Sequence, residues 1–118
     1  MASKISILKD VRHVLGVHED DEVFDRDLIM HINSTFNVLR QMGVGPEKGF
    51  AIKDASATWD EFLTDEPKVN MVRSYMYAKV RMQFDPPNSG TLVDALKNQI
   101  AEYEWRMNVD VETDWQIQ

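Results

Sequence analysis

Three groups of residues in this chain have types and spacings that could do chemistry. The first is GVGPEKGF, Gly43 to Phe50, with glycines at 43, 45 and 49 and Lys48 beside the last. Such a loop grips phosphate when it leaves a strand and opens a helix, so that free backbone N–H groups point at the anion. Here the order is reversed, since the loop follows a helical pattern ending at Met42 and enters a short extended stretch, Phe50 to Lys53. Pro46 removes a donor, and no Lys-Ser or Lys-Thr pair follows. The segment reads as a connector in which Gly43 closes the helix with a positive φ.

The second group is His13, His18 and His31. His13 and His18 straddle Gly16 and lack the i,i+4 spacing of a helix-borne metal pair. His31 sits beside the apolar stripe of its helix, as a partly buried histidine with a local partner would. The third group is the acid run Glu19, Asp20, Asp21, Glu22, Asp25 and Asp27. It lacks the alternating acids and mid-loop glycine of a calcium loop and reads as a helix start, where the macrodipole favours negative charge. There is no cysteine, and so no disulfide framework or thiolate ligand; nor is there a G-x-S-x-G nucleophile turn. The residues therefore nominate no catalytic group, no cofactor and no metal site, and the expectation is a non-enzyme.

The elements that would position these residues are helical. Ile7, Leu8, Val11, Val14 and Leu15 recur at one-face spacing over Ser6 to Leu15, with Gly16 as a stop. A second stripe runs Phe24, Leu28, Ile32, Phe36, Leu39, Met42. Thr58 and Glu61 have capping-box spacing and open a short helix carrying Trp59, Phe62 and Leu63. Asp65-Glu66-Pro67 starts a longer helix, apolar on two faces and therefore central, which FDPP at 84–87 stops. Asn88 or Ser89 can cap the last helix, with its stripe of Leu92, Leu96, Ile100, Tyr103 and Met107. The fold class is mainly α: a bundle of four main helices plus one short helix, with a small extended excursion in the middle. Residues 1–108 form this single domain, and 109–118 form an extended C-terminal arm, because Val109, Val111, Trp115 and Ile117 alternate with polar residues.

Charge and apolar surplus point to partners. The 118 residues carry a formal net charge of −7, which disfavours nonspecific binding to DNA or anionic membranes. The chain opens on an amphipathic pattern instead of an apolar signal core, so it is expected to be soluble and untargeted. Three tryptophans are many for one small core. Trp105 lies off the main stripe and suits either a second packing face or an interface; Trp115, on the arm, suits a docking anchor. Phe50, Ile52, Trp59 and Phe62, in and after the excursion, are candidate subunit contacts, since so small a bundle does not easily cover an isolated strand edge.

A set of short motifs occurs in a specific order: an early D-V-x-x-x-L-G helix (Asp10 to Gly16), MHINSTF (Met30 to Phe36), LRQMGVGPEKGF (Leu39 to Phe50), TWDEFL (Thr58 to Leu63), FDPP (Phe84 to Pro87) and EYEWRMNV (Glu102 to Val109). Together, from about Ile5 to Val111, they resemble the small head-tail connector, or adaptor, proteins of long-tailed bacteriophages. The resemblance implies a virion structural protein without catalytic residues. Such proteins assemble as a ring, commonly twelve-fold, under the portal protein, extend the DNA channel without specific DNA binding, and form a platform for the next connector or tail-completion protein. It also implies a place at the head-tail interface of the virion, after assembly in the host cytoplasm, with no membrane partner. On this reading Phe50, Ile52, Trp59, Phe62 and Trp105 are candidate subunit-interface residues, and Val109, Val111, Trp115 and Ile117 a candidate portal-docking arm. The alternatives are a small soluble helical adaptor or regulatory protein binding one protein partner, and a metal-dependent hydrolase using the acid run.

Overall fold

A computed structural model describes residues 4–18 and 20–117, with side chains as far as Glu112. Among the described residues five helices follow one another: α1 (Ile7–Val14), α2 (Asp25–Gln41), α3 (Trp59–Phe62), α4 (Glu66–Phe84) and α5 (Gly90–Ile117). The expected four main helices and one short helix are thus present. Most helix ends have a local cause. The Ser6 hydroxyl accepts from the N–H of Lys9, Asp65 caps α4 by accepting from the N–H of Lys68 (3.1 Å), and Ser89 caps α5 through the N–H of Leu92 (3.4 Å). The Thr58–Glu61 capping box is formed. Phe24 begins α2 without a side-chain cap, and the acids Asp25 and Asp27 occupy its first turn.

The helix α4 is central, packing against α1, α2 and α5. Its buried residues Val69, Val72, Tyr75, Met76, Ala78 and Val80 surround more than one face, as the two apolar stripes required. Ile7, Leu8 and Val11 from α1 and Leu28, Ile32, Phe36 and Leu39 from α2 complete the core.

The excursion between α2 and α3 forms no strand among the described residues, only an isolated bridge between Ser6 and Thr58. Its backbone is satisfied in another way. Asn33 on α2 holds Ile52 from both sides, donating to its carbonyl (3.0 Å) and accepting from its N–H (2.8 Å), so one amide side chain substitutes for a neighbouring strand. The N-terminal end of α1 fastens the rest: Ile7 N–H donates to Ala57 (3.0 Å), Trp59 N–H to Ile5 (3.2 Å), and Ser6 Oγ to Ala55 (2.7 Å).

The segment expected as an extended arm is helical instead: α5 continues through Val109 to Ile117. Two reasons are visible. Val111 lies one turn beyond Met107 and so also continues the inner stripe, and it packs beside Gly43, where an added Cβ would meet it at 3.3 Å. A helix already nucleated over five turns extends at small cost per residue even through Val and Asp. At about 1.5 Å per residue its 28 residues span about 42 Å.

The glycine loop is the joint that α5 leans on. Gly43 has φ +83°, as expected of a residue closing α2, and Gly45 has φ +90°. A Cβ at Gly45 would stand 2.4 Å from the Phe62 ring, which is itself packed against Phe36 and Phe50. Gly45→Ala is expected to cost about 2–3 kcal/mol, combining left-handed strain with overpacking, and Gly43→Ala about 1 kcal/mol. Urea midpoints in the reverse order would contradict this account of the loop.

Candidate assembly surfaces

Three polar ties set how the helices present their surfaces. Asp10 on α1 receives Trp59 Nε1 (2.9 Å) and Arg73 Nε (2.8 Å) on one carboxylate oxygen and Arg73 Nη2 (3.0 Å) on the other. Both oxygens are occupied, so this carboxylate joins α1, α3 and α4 and is a poor candidate for a base. Arg12, 3% exposed, forms a two-pronged pair with Asp25 through Nε (2.9 Å) and Nη2 (2.5 Å), joining α1 to the start of α2. The Tyr75 hydroxyl donates to Glu104 (2.7 Å), joining α4 to α5.

Burial, and then the bond to Glu104, push ionisation of the Tyr75 phenol well above its ordinary 10.0. A raised pKa in the folded state gives stability that is fully present below pH 10.0 and lost as pH rises above it, because the unfolded chain ionises first. The stability difference between wild type and Tyr75→Phe, measured by urea unfolding, should therefore be flat from neutral pH to about 9.5 and shrink above 10. A difference that grows above pH 10 would contradict the assignment.

The residues nominated from sequence divide sharply. Ile52 (3% exposed), Trp59 (1%) and Phe62 (4%) lie in the subunit's own core. Phe50 is half-buried, edge-on to Phe36 at 5.1 Å and to Phe62 at 5.5 Å. These four form an aromatic and aliphatic layer beneath the loop, and of them only Phe50 keeps surface to offer a neighbour. Trp105 is 66% exposed, so the packing role open to it is outside the bundle. Val109 is partly exposed, and Val111 packs inward beside Gly43. The side chains of Trp115 and Ile117 lie outside the described residues, as does Glu19 of the acid run. His13 and His18 are exposed, and His31 is half-buried on α2.

Two of the cavities among the described residues flank α4. A small one of about 100 Å³ lies between the glycine loop and the α4–α5 pair, lined mainly by Val44, Leu63, Met71, Met107 and Val111. A larger groove of about 600 Å³ runs between α1 and α4, past His13, Val14, Asn70, Arg73, Ser74 and Tyr77. Among the described residues no three His, Asp or Glu side chains are grouped to hold a metal ion. Of the groove's polar groups, Asp10 and Arg73 are bound to each other, and Tyr77 accepts from Arg81 (2.9 Å). The geometry offers surfaces for packing rather than a set of reacting groups.

A family model described as phage connector protein matches residues 7–114, almost the whole chain. The chain belongs to the phage connector protein family. The resemblance read from the motifs between Ile5 and Val111 therefore holds, and this connector is a viral structural protein with a helical-bundle fold. Comparison with curated proteins and with solved structures gave no match. Several motifs now have physical roles in the connector. MHINSTF carries Asn33, which holds the excursion; TWDEFL carries Trp59 and its capping box; the Asp of the first motif is Asp10, the ligand of Trp59 and Arg73. The role of Asn33 was missed in the sequence, where an asparagine in a helix interior facing an extended segment was the available signal. Among the described residues no helix of the connector is long and apolar enough to cross a membrane.

Proposed function

We propose that this connector is the repeating subunit of a ring, commonly twelve-fold in such assemblies, seated under the portal protein of the filled head. It extends the DNA channel and presents a platform to the next connector or tail-completion protein, and it resides at the head-tail interface of the virion. The observation that carries this reading is the family match over residues 7–114. The surface supports it: Trp105 stands 66% exposed on a helix otherwise anchored to α4, as a side chain reserved for a partner would. A net charge of −7 suits a channel wall past which DNA slides without being gripped.

In this reading the C-terminal turns of α5, beyond Val111, reach the portal, with Trp115 and Ile117 as the apolar contacts. Negative-stain electron microscopy of the purified chain mixed with portal protein tests the proposal. Rings coaxial with the portal are expected. A chain that stays monomeric and leaves the portal bare at micromolar concentration would refute it.

A further inference from the structure

The helix α5 is held to the bundle along most of its length. Ser89 caps its start, Leu96 and Met107 are buried, Ile100 and Tyr103 pack against the core, and Glu104 accepts from Tyr75. Beyond Met107 the anchoring thins. Asn108, Val109, Asp110 and Glu112 are exposed, and of the side chains described there Val111 alone turns inward, beside Gly43.

The sequence of these last turns does little to hold a helix by itself. Val109, Val111, Thr113 and Ile117 are β-branched, and Asp110 and Asp114 are weak helix formers. Asp110, Glu112 and Asp114 put negative charge at the negative end of the helix macrodipole, the last turn has no basic residue, and Arg106, the last cation of the helix, is engaged by Glu102 at 2.8 Å. Asp110 and Asp114 also stand four residues apart, where like charges repel along a helix. The cation on the facing helix is Lys68 of α4, which lines the same cavity as Asp110. An extended chain suits this segment too, since Val109, Val111, Trp115 and Ile117 would then share one face. Helical and extended forms are thus closely matched, and the seating of Val111 against Gly43 tips the balance.

We infer that 109–117 is a conformational switch with Val111 as its latch, helical while Val111 is seated against the glycine loop and extended once Val111 leaves it. Release has two consequences. The segment lengthens from about 14 Å to about 30 Å. The cavity of about 100 Å³ between the glycine loop and the α4–α5 pair also loses one wall, which opens the apolar surface of Val44, Leu63, Met71 and Met107. Gly43, with φ +83° and no Cβ, is what lets Val111 approach, so a shift of the loop unseats Val111 and the two distant parts of the chain move together. The device belongs to the single subunit and does not depend on the ring reading above.

Native-state hydrogen exchange of the full-length chain tests this, with the amides of 96–107 as an internal reference. Wild-type amides of 113–117 should exchange faster than the reference and slower than those of an unfolded chain. Val111→Ala should speed them about tenfold or more relative to the reference. Alanine is the better helix former, so an end held only by its own propensity would answer the same change with slower exchange, and that result would overturn the latch. Gly43→Ala, whose Cβ would meet Val111 at 3.3 Å, should also speed exchange of 113–117 relative to the reference. No response to it would overturn the coupling to the loop. In this cysteine-free chain a thiol introduced by Met71→Cys should react with a maleimide about tenfold faster when Val111→Ala is added, and an unchanged rate would overturn the opening of the cavity. Wild-type protection of 113–117 equal to that of the reference would overturn the switch altogether.

Discussion

Ile52→Asp is expected to abolish the cooperative fold of the isolated subunit instead of merely loosening its assembly. Ile52 is 3% exposed, and its backbone N–H and carbonyl are both held by Asn33, so its side chain cannot swing outward without breaking those bonds. The substitution removes a side chain whose burial contributes about 1.5–3 kcal/mol and places a carboxylate in the apolar core. The combined loss, about 4 kcal/mol or more, is a large part of the roughly 5–15 kcal/mol that stabilises a typical domain. Urea unfolding at low protein concentration, followed by circular dichroism, checks this, with Ile52→Val as the mild control expected to lose about 0.5–1.5 kcal/mol. A folded Ile52→Asp subunit that has lost only its ability to form rings would support the contact role read from the sequence.

Trp59→Ala should lower stability by about 3–5 kcal/mol, the cost of removing a large buried ring that its surroundings cannot collapse to fill. Among the described residues Trp59 is the largest of the fully buried side chains, and its ring lies 6.0 Å from that of Phe36. Its indole N–H also donates to Asp10, so its removal loosens the junction of α1, α3 and α4 as well as the aromatic layer. Trp59→Phe separates the two contributions, since it keeps much of the ring but loses the donor. The order of denaturation midpoints should be wild type, then Trp59→Phe, then Trp59→Ala. Equal midpoints for wild type and Trp59→Ala would show that the ring is not part of the subunit's core.

Trp59 and Trp105 illustrate why one class of residue resisted prediction. Trp105 lies off the apolar stripe of its helix, and Trp59 follows an excursion that read as an uncovered strand edge, so each was a possible interface. Only the way α3 folds down on Phe36 and Phe50 puts Trp59 inside, and only the packing of α5 on α4 through Tyr103 and Met107 leaves Trp105 outside. Phe62 and Ile52 were similarly ambiguous. The excursion looked like an uncovered strand edge because nothing in its own sequence states that Asn33, nineteen residues earlier, would satisfy its backbone.

The sequence by itself determined the helices, their order and most of their ends, because these depend on local physics: periodicity, capping side chains and proline. It also determined the positive φ of Gly43 and, through the order of its motifs, the family. The tertiary structure decided what depends on contacts between distant residues. It joined Asp10 to Trp59 and Arg73 across 49 and 63 positions, and Arg12 to Asp25, whose acid the sequence read only as a helix start. It also decided the form of the last turns. Val109 to Ile117 has a pattern compatible with both a two-residue and a helical period, and the contact of Val111 beside Gly43, at the end of a helix already formed, settled the choice in favour of the helix.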